Sequence, residues 1–161
     1  MQSRKEQIRA ELEEIRNELM ATAEGIKPEE FTWEPRPGMK SAKALLQEIG
    51  IMEKLHTLFL TKNELANWQD AVQWSGEDLT AILSDLRTIR AETLAFLESC
   101  SEEDFATPRP IPESWQGWWG TEASPEAMLR WIARHEYYHL GQLVYNRWLL
   151  GYNPYEMGTQ S

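Results

Sequence analysis

Apolar residues recur at intervals of three and four in four separate stretches of this chain, and no stretch shows sustained alternation. That rhythm gathers the apolar side chains of each stretch on one side of an α-helix. Over residues 2–23 the stripe is Ile8, Leu12, Ile15 and Leu19, and Gly25 and Pro28 end the helix. After the loop GIKPEEFTWEPRPGMK, Ser41 caps a second helix that buries Leu45, Ile49, Met52, Leu55 and Phe59 and fades near Lys62 or Asn63. A polar connection with Trp68 and Trp74 reaches SGED, where Ser75 and Asp78 resemble a capping box with Asp in place of Glu. The third helix then carries Leu79, Ile82, Leu86, Ile89, Thr93 and Phe96. A long connection, about residues 100–123, holds TPRPIPESWQGWWG; loops of that length are more often functional than idle. Ser124 and Pro125 start a fourth helix that runs to Leu150 and stops at Gly151. Its expected inner stripe is Met128, Trp131, Ile132, His135, Tyr138 or His139, Gln142, Tyr145 and Leu149. The expected fold class is all-α, a four-helix bundle with long connections, with residues 1–161 as one domain.

Charge and composition exclude several function classes. A net charge of −10 repels phosphate backbones, and the basic residues of MQSRKEQIRAELEEIR are interleaved with glutamates, which reads as a solvated helix face. No nucleic-acid partner is expected. No apolar run is long enough to span a bilayer, and the first residues lack the apolar core of a signal peptide, so a cytoplasmic location without a membrane partner is expected. The single cysteine, Cys100, forms no intramolecular disulfide, and the carboxylates that follow it raise a thiol pKa rather than activate it. Eight tryptophans point to an aromatic surface lining a pocket or an interface.

Candidate chemistry centres on RHEYYHLGQL. His135 and His139, four residues apart, share one helix face, so their imidazoles can reach one metal ion. Two core histidines bonded to neighbours would be the plain alternative. A further ligand has two candidates on the second helix. Glu48 sits within the apolar stripe, where a carboxylate is costly unless paired or bound to metal, and His56 lies near the stripe's edge, as a surface or boundary histidine would. They are eight residues apart, about 12 Å along the axis, so both cannot bind one ion. An HExxH protease reading assigns Glu136 as general base. It lacks the third ligand after the glycine, and Glu156 lies beyond Gly151 and Pro154, so proteolysis is a remote alternative. Glu136 instead orients a histidine or faces solvent.

Two marks together resemble the DinB/YfiT superfamily of metal-binding four-helix bundles. One is a Trp-x-Pro-x-Pro-Gly loop leading into a serine-capped helix, here Trp33, Pro35, Pro37, Gly38 and Ser41; the other is His-x-x-x-His followed by Gly-Gln, here His135, His139, Gly141 and Gln142. The first metal-binding histidine of that family falls seven residues after the serine, where this chain has Glu48. The resemblance therefore implies one divalent ion, Zn, Ni, Mn or Fe, held by Glu48, His135 and His139. It also implies a homodimer and chemistry on a small-molecule substrate. Some members are thiol-dependent transferases or isomerases, so a low-molecular-weight thiol is the expected co-substrate and thiol S-transfer the expected reaction. The alternative is a non-catalytic binding or structural bundle with a vestigial site. Around the metal, Gln142 and Tyr138 are expected to support the ligands or line the pocket. Gly141 permits close approach of a neighbouring helix. Trp118, with Trp115 and Trp119, is expected either to close over the pocket or to form a plug or dimer contact. Arg134 and Arg147 are candidates for contacting an anionic substrate group, but read first as surface charges.

Overall fold

The computed structural model describes residues 2–153; Pro154 and Glu156 lie outside them. Four long helices form the frame: α1 (Arg4–Glu24), α2 (Ala42–Lys62), α3 (Leu79–Ser99) and α4 (Pro125–Leu149). Each begins at a capping side chain. Ser3 Oγ accepts from Glu6 N at 3.2 Å while Ser3 N donates to Glu6 Oε2 at 2.7 Å. Ser41 and Ser124 cap α2 and α4 by accepting from Ala44 N and Ala127 N. The start of α3 departs from the expected capping box. Asp78 is the cap, accepting from Ala81 N at 2.9 Å, and Ser75 instead donates its N–H and hydroxyl to Asp85. The carboxylate one residue before the first helical turn outcompetes a serine three residues further back.

The core is layered along the bundle. One apolar layer joins Ile8 and Leu12 of α1 to Phe59 of α2, Phe96 of α3 and Met128 and Ile132 of α4. The other joins Leu19, Leu45, Ile49, Ile82, Leu86 and Leu143. The first layer thus takes the amino-terminal halves of α1 and α4 and the carboxyl-terminal halves of α2 and α3. Hence α1 runs with α4, and α2 runs with α3 in the opposite sense. The connection between α2 and α3, residues 63–78, has to travel the length of the bundle. Trp74 of that crossover seats on Gly50 of α2, where an added Cβ would lie 2.7 Å from the indole ring and 2.9 Å from a Leu86 methyl, so any larger residue would push the indole or Leu86 aside.

Between the two apolar layers lies a charged one. Arg16, Glu53, Arg90 and Glu136, one residue from each long helix, are all at least 95 % buried. Arg16 donates to Glu136 Oε1 at 2.6 Å and to Glu53 Oε2 at 2.6 Å; Arg90 donates to Glu53 Oε1 at 2.7 Å and also to Glu136. The remaining guanidinium donors reach the backbone carbonyls of Leu86 and Leu12. Burial alone would raise the Glu53 carboxyl pKa, but the two flanking guanidiniums hold it well below the ordinary range. Two expectations change here. Arg16 is not on a solvated face, and Glu136 neither orients a histidine nor meets solvent.

The buried face of α4 matches the expected stripe in part: Met128, Ile132 and His139 are buried as expected, but the face is wider and shifted toward residues outside that stripe. Leu129, Ala133, Glu136, Leu140, Asn146 and Arg147 are buried, whereas Tyr138, Tyr145 and Leu149 are exposed. Arg147 is no surface charge. Its Nε donates to Glu30 at 2.8 Å and its Nη2 to the carbonyl of Gly25 at 2.6 Å, so it satisfies the end of α1.

The connection from α3 to α4 folds on itself. Antiparallel two-residue strands β1 (Arg109–Pro110) and β2 (Glu122–Ala123) clasp a segment carrying Trp115, Trp118 and Trp119. The fully buried Phe105 and the buried Ile111 anchor it to the bundle. Cys100 is buried beside it, and burial pushes its thiol pKa up. No helix among the described residues is long and apolar enough to cross a membrane.

Candidate metal centre

The turn that precedes α2 delivers one side of the site. Pro37 and Gly38 occupy the middle of a turn closed by Met39 N donating to Arg36 O at 2.9 Å, and Gly38 takes φ +85°. That is the position where a type II turn needs glycine after proline. The turn sets Met39 and Lys40 against α4, where Asn146 Nδ2 donates to Lys40 O at 3.0 Å. One helical turn and a half into α2, Glu48 faces the same space.

The other side comes from α4. His135 and His139 point their Nε2 atoms at each other, 3.0 Å apart. Glu48 Oε2 lies 3.7 Å from His139 Nε2, and one donor atom from each of the three residues falls within 4.8 Å of the others. The 3.7 Å separation is too long for a hydrogen bond, so Glu48 does not simply pair with His139. Behind the pair, His139 Nδ1–H donates to Gln142 Oε1 at 2.6 Å, and Gln142 Nε2 donates to the Tyr138 hydroxyl at 3.1 Å. This chain makes His139 Nε2 the acceptor on the site side, where it takes a hydrogen bond from His135 Nε2–H. Trp131 stacks on His135 at 4.8 Å and fixes its ring plane. Burial, with His139 alongside, lowers the His135 pKa to about 4 despite the nearby Glu48.

The donor set fits a divalent ion. Two imidazole nitrogens on one tetrahedral zinc, each about 2.0–2.1 Å from it, stand roughly 3.3 Å apart. The histidine pair, at 3.0 Å, needs only a small opening to reach that separation, with a carboxylate oxygen nearby and an open cavity of about 790 Å³ above. Lys40 competes for the same carboxylate: its ammonium bonds to Glu48 Oε2.

Tyr138 and Gln142 line this cavity, as does Gly141, which packs against nothing; an added Cβ would meet open space. The expected close helix approach at Gly141 does not occur. Trp118 is 78 % exposed and does not line the cavity. Trp115 and Trp119 instead pack on His56, whose ring also stacks on Trp131 at 4.6 Å. The tryptophan segment is a plug on the bundle, not a cover over the three donors.

His56 is not the boundary histidine its sequence position implied. It is 98 % buried, its Nδ1–H donates to Met52 O at 2.7 Å, and its Nε2 has no partner. It does not belong to the three-donor group. Burial lowers its pKa to about 4, partly opposed by the Met52 hydrogen bond. An unfolded histidine near pH 6.5 takes up a proton that the folded one refuses. His56 therefore adds its full stability above pH 6.5, and the contribution is lost as pH falls toward 4, by about 3 kcal/mol at 1.4 kcal/mol per pKa unit. Urea titrations at pH 7 and pH 4.5 should show the wild type losing more stability than His56→Phe; parallel losses would contradict the assignment.

Lys40 and the four-charge layer were not anticipated from the sequence. Lys40 had one signal, a cation directly before the capping serine and eight residues before Glu48.

Similar folds are known. A DinB-like protein from Bacillus subtilis shares 21 % identity, with 91 % of this chain and 93 % of that chain aligned at a TM-score of 0.71. A four-helix bundle protein, TT2238, shares 22 % over 86 % and 97 % of the two chains (TM-score 0.65), and a conserved Enterococcus faecalis protein shares 17 % over 90 % and 96 % (TM-score 0.65). No curated protein matches in sequence. The DinB superfamily model matches residues 11–143, most of the bundle together with all three candidate ligands, and the chain belongs to the DinB superfamily.

Proposed function

We propose that this protein holds one divalent metal ion between Glu48, His135 and His139 and uses it on a small-molecule substrate, with thiol S-transfer as the expected reaction. The observation that carries the reading is the convergence of two imidazole nitrogens 3.0 Å apart and a carboxylate oxygen at the floor of an open cavity. Mixed nitrogen and oxygen donors suit Zn, Ni, Mn or Fe(II). An ion there supplies activation of a thiol or water at neutral pH. The protein's own part is orientation. Gln142 sets the His139 tautomer, Trp131 fixes His135, and the exposed rings of Tyr138 and Tyr145 flank the approach. Proteolysis has no support, because Glu136, the base it requires, is 99 % buried between two arginines.

Metal analysis of the purified protein and of Glu48→Ala tests the reading. One equivalent of metal in the wild type, lost in the variant, is expected. A wild type that binds none of the four metals when titrated supports the vestigial-bundle alternative, which the Lys40–Glu48 pair favours. Metal-dependent consumption of a small thiol with a generic electrophile tests the transferase step. The homodimer belongs to the same proposal; light scattering that returns a single-chain mass rejects it.

A further inference from the structure

Lys40 brings to the pocket a charge that the ligand set does not use. Its backbone is fixed, since its carbonyl accepts from Asn146 and the next residue, Ser41, caps α2. Its side chain is not: half of it is exposed at the cavity rim. The ammonium rests on Glu48 Oε2, the oxygen nearest His139 Nε2. A divalent ion held by Glu48, His135 and His139 competes for that oxygen and repels the ammonium, so the long side chain has to swing away from Glu48 while its base stays on the rim.

The charge balance then changes. Among the residues lining the cavity, Glu48 is the sole carboxylate, and the lysine ammonium is no longer neutralised by it. Ligating histidines are neutral. The loaded pocket is therefore cationic inside a chain of net charge −10, and its walls beyond the donors combine the apolar side chains of Met39 and Leu45 and the rings of Tyr138 and Tyr145 with the amides of Gln142 and Asn146, which are already bonded to protein partners. That combination fits a molecule with an apolar body and an anionic end.

Resting on the metal-site reading above, we infer that Lys40 is an exchangeable counter-ion. It holds Glu48 in the metal-free protein and receives a carboxylate of the substrate once the ion is bound, so the pocket selects small thiols that carry a carboxylate. Lys40 is a specificity residue for that substrate class.

Calorimetric titration tests the inference with wild type, Lys40→Met and Lys40→Arg. Zinc is titrated first, then 3-mercaptopropionate and 1-propanethiol into the zinc-loaded proteins. Lys40→Met should bind zinc about threefold more tightly, because Glu48 no longer has a competing partner. The wild type should prefer the carboxylate-bearing thiol by about tenfold, the worth of one charge-assisted hydrogen bond. Lys40→Met should lose that preference and Lys40→Arg should retain it. Equal affinity of the wild type for both thiols, or an unchanged preference in Lys40→Met, overturns the role of Lys40 while the metal site stands. Failure of the wild type to bind zinc, nickel, manganese or iron overturns both readings together.

Discussion

Replacing Glu53 with alanine destabilises the fold by about 3–5 kcal/mol, the cost of stranding a buried charge without its partner. Glu53 accepts from both arginines of the central layer, and none of the four groups reaches water. Without it, Arg16 and Arg90 face each other across one remaining carboxylate, Glu136. Desolvation of the two guanidiniums is then offset by half the negative charge. Chemical denaturation at pH 7 measures the loss, and a change under 1 kcal/mol would mean that water or a rearranged Glu136 takes over. A companion variant separates stability from specificity. Replacing all four residues with apolar ones (Arg16→Met, Glu53→Leu, Arg90→Met, Glu136→Leu) removes the desolvation cost along with the attraction, so its stability should equal or exceed that of the wild type. Because each helix contributes one charge, with signs that alternate between sequential helices, the layer sets the axial register of all four. A quadruple variant with native stability but broadened amide resonances would show that register is what the charges supply.

That layer also explains how far the sequence could be read. The helices and the caps of α2 and α4, Ser41 and Ser124, were legible, because apolar spacing and a serine at a helix start act locally. The second and third helical stripes were found in the right phase. The charged layer was hidden because each of its members interrupts an apolar stripe and resembles a solvated position. Yet the spacing contains it. Arg16 continues Ile8 and Leu12 at intervals of four, Glu53 follows Ile49, Arg90 follows Ile82 and Leu86, and Glu136 follows Ile132. A charge in phase with a buried stripe on every helix, with signs that cancel, is a pattern of four elements, and no single-helix reading exposes it. The α4 stripe was right at Met128, Ile132 and His139 and wrong elsewhere for the same cause. Its buried face carries Glu136, Asn146 and Arg147, while Tyr138, Tyr145 and Leu149 decorate the exposed side, so apolarity pointed the wrong way. His56 was misplaced because burial came from the tryptophan plug, a segment whose path no periodicity encodes. The three-donor group was legible as residue types and spacing, but its competitor Lys40 was not, since a turn and a contact with Asn146 bring it there.

Zinc raises the melting temperature of the wild type, and His139→Ala abolishes the rise. At a free concentration a thousand times the dissociation constant, one site that exists only in the folded state adds about 4 kcal/mol. For a chain of this size each kcal/mol moves the midpoint by about 2–4 °C, so a shift of roughly 8–16 °C is expected, reversed by a chelator. His139 is the central donor. Its Nε2 is the atom within 3.0 Å of His135 Nε2 and 3.7 Å of Glu48 Oε2, and without it the remaining pair has no shared focus. Gln142→Leu gives a graded result, because Gln142 touches only the far nitrogen of His139. Loss of that hydrogen bond frees the tautomer and weakens metal binding by about 10–100-fold, which trims the thermal shift without removing it. His139→Ala removes a buried ring and its hydrogen bonds to Gln142 and His135, so its metal-free midpoint should fall below that of the metal-free wild type, and each protein's zinc-induced shift is read from its own metal-free midpoint. If zinc shifts His139→Ala as far as the wild type, the stabilisation comes from a different site, and the ordering of wild type, Gln142→Leu and His139→Ala collapses with it.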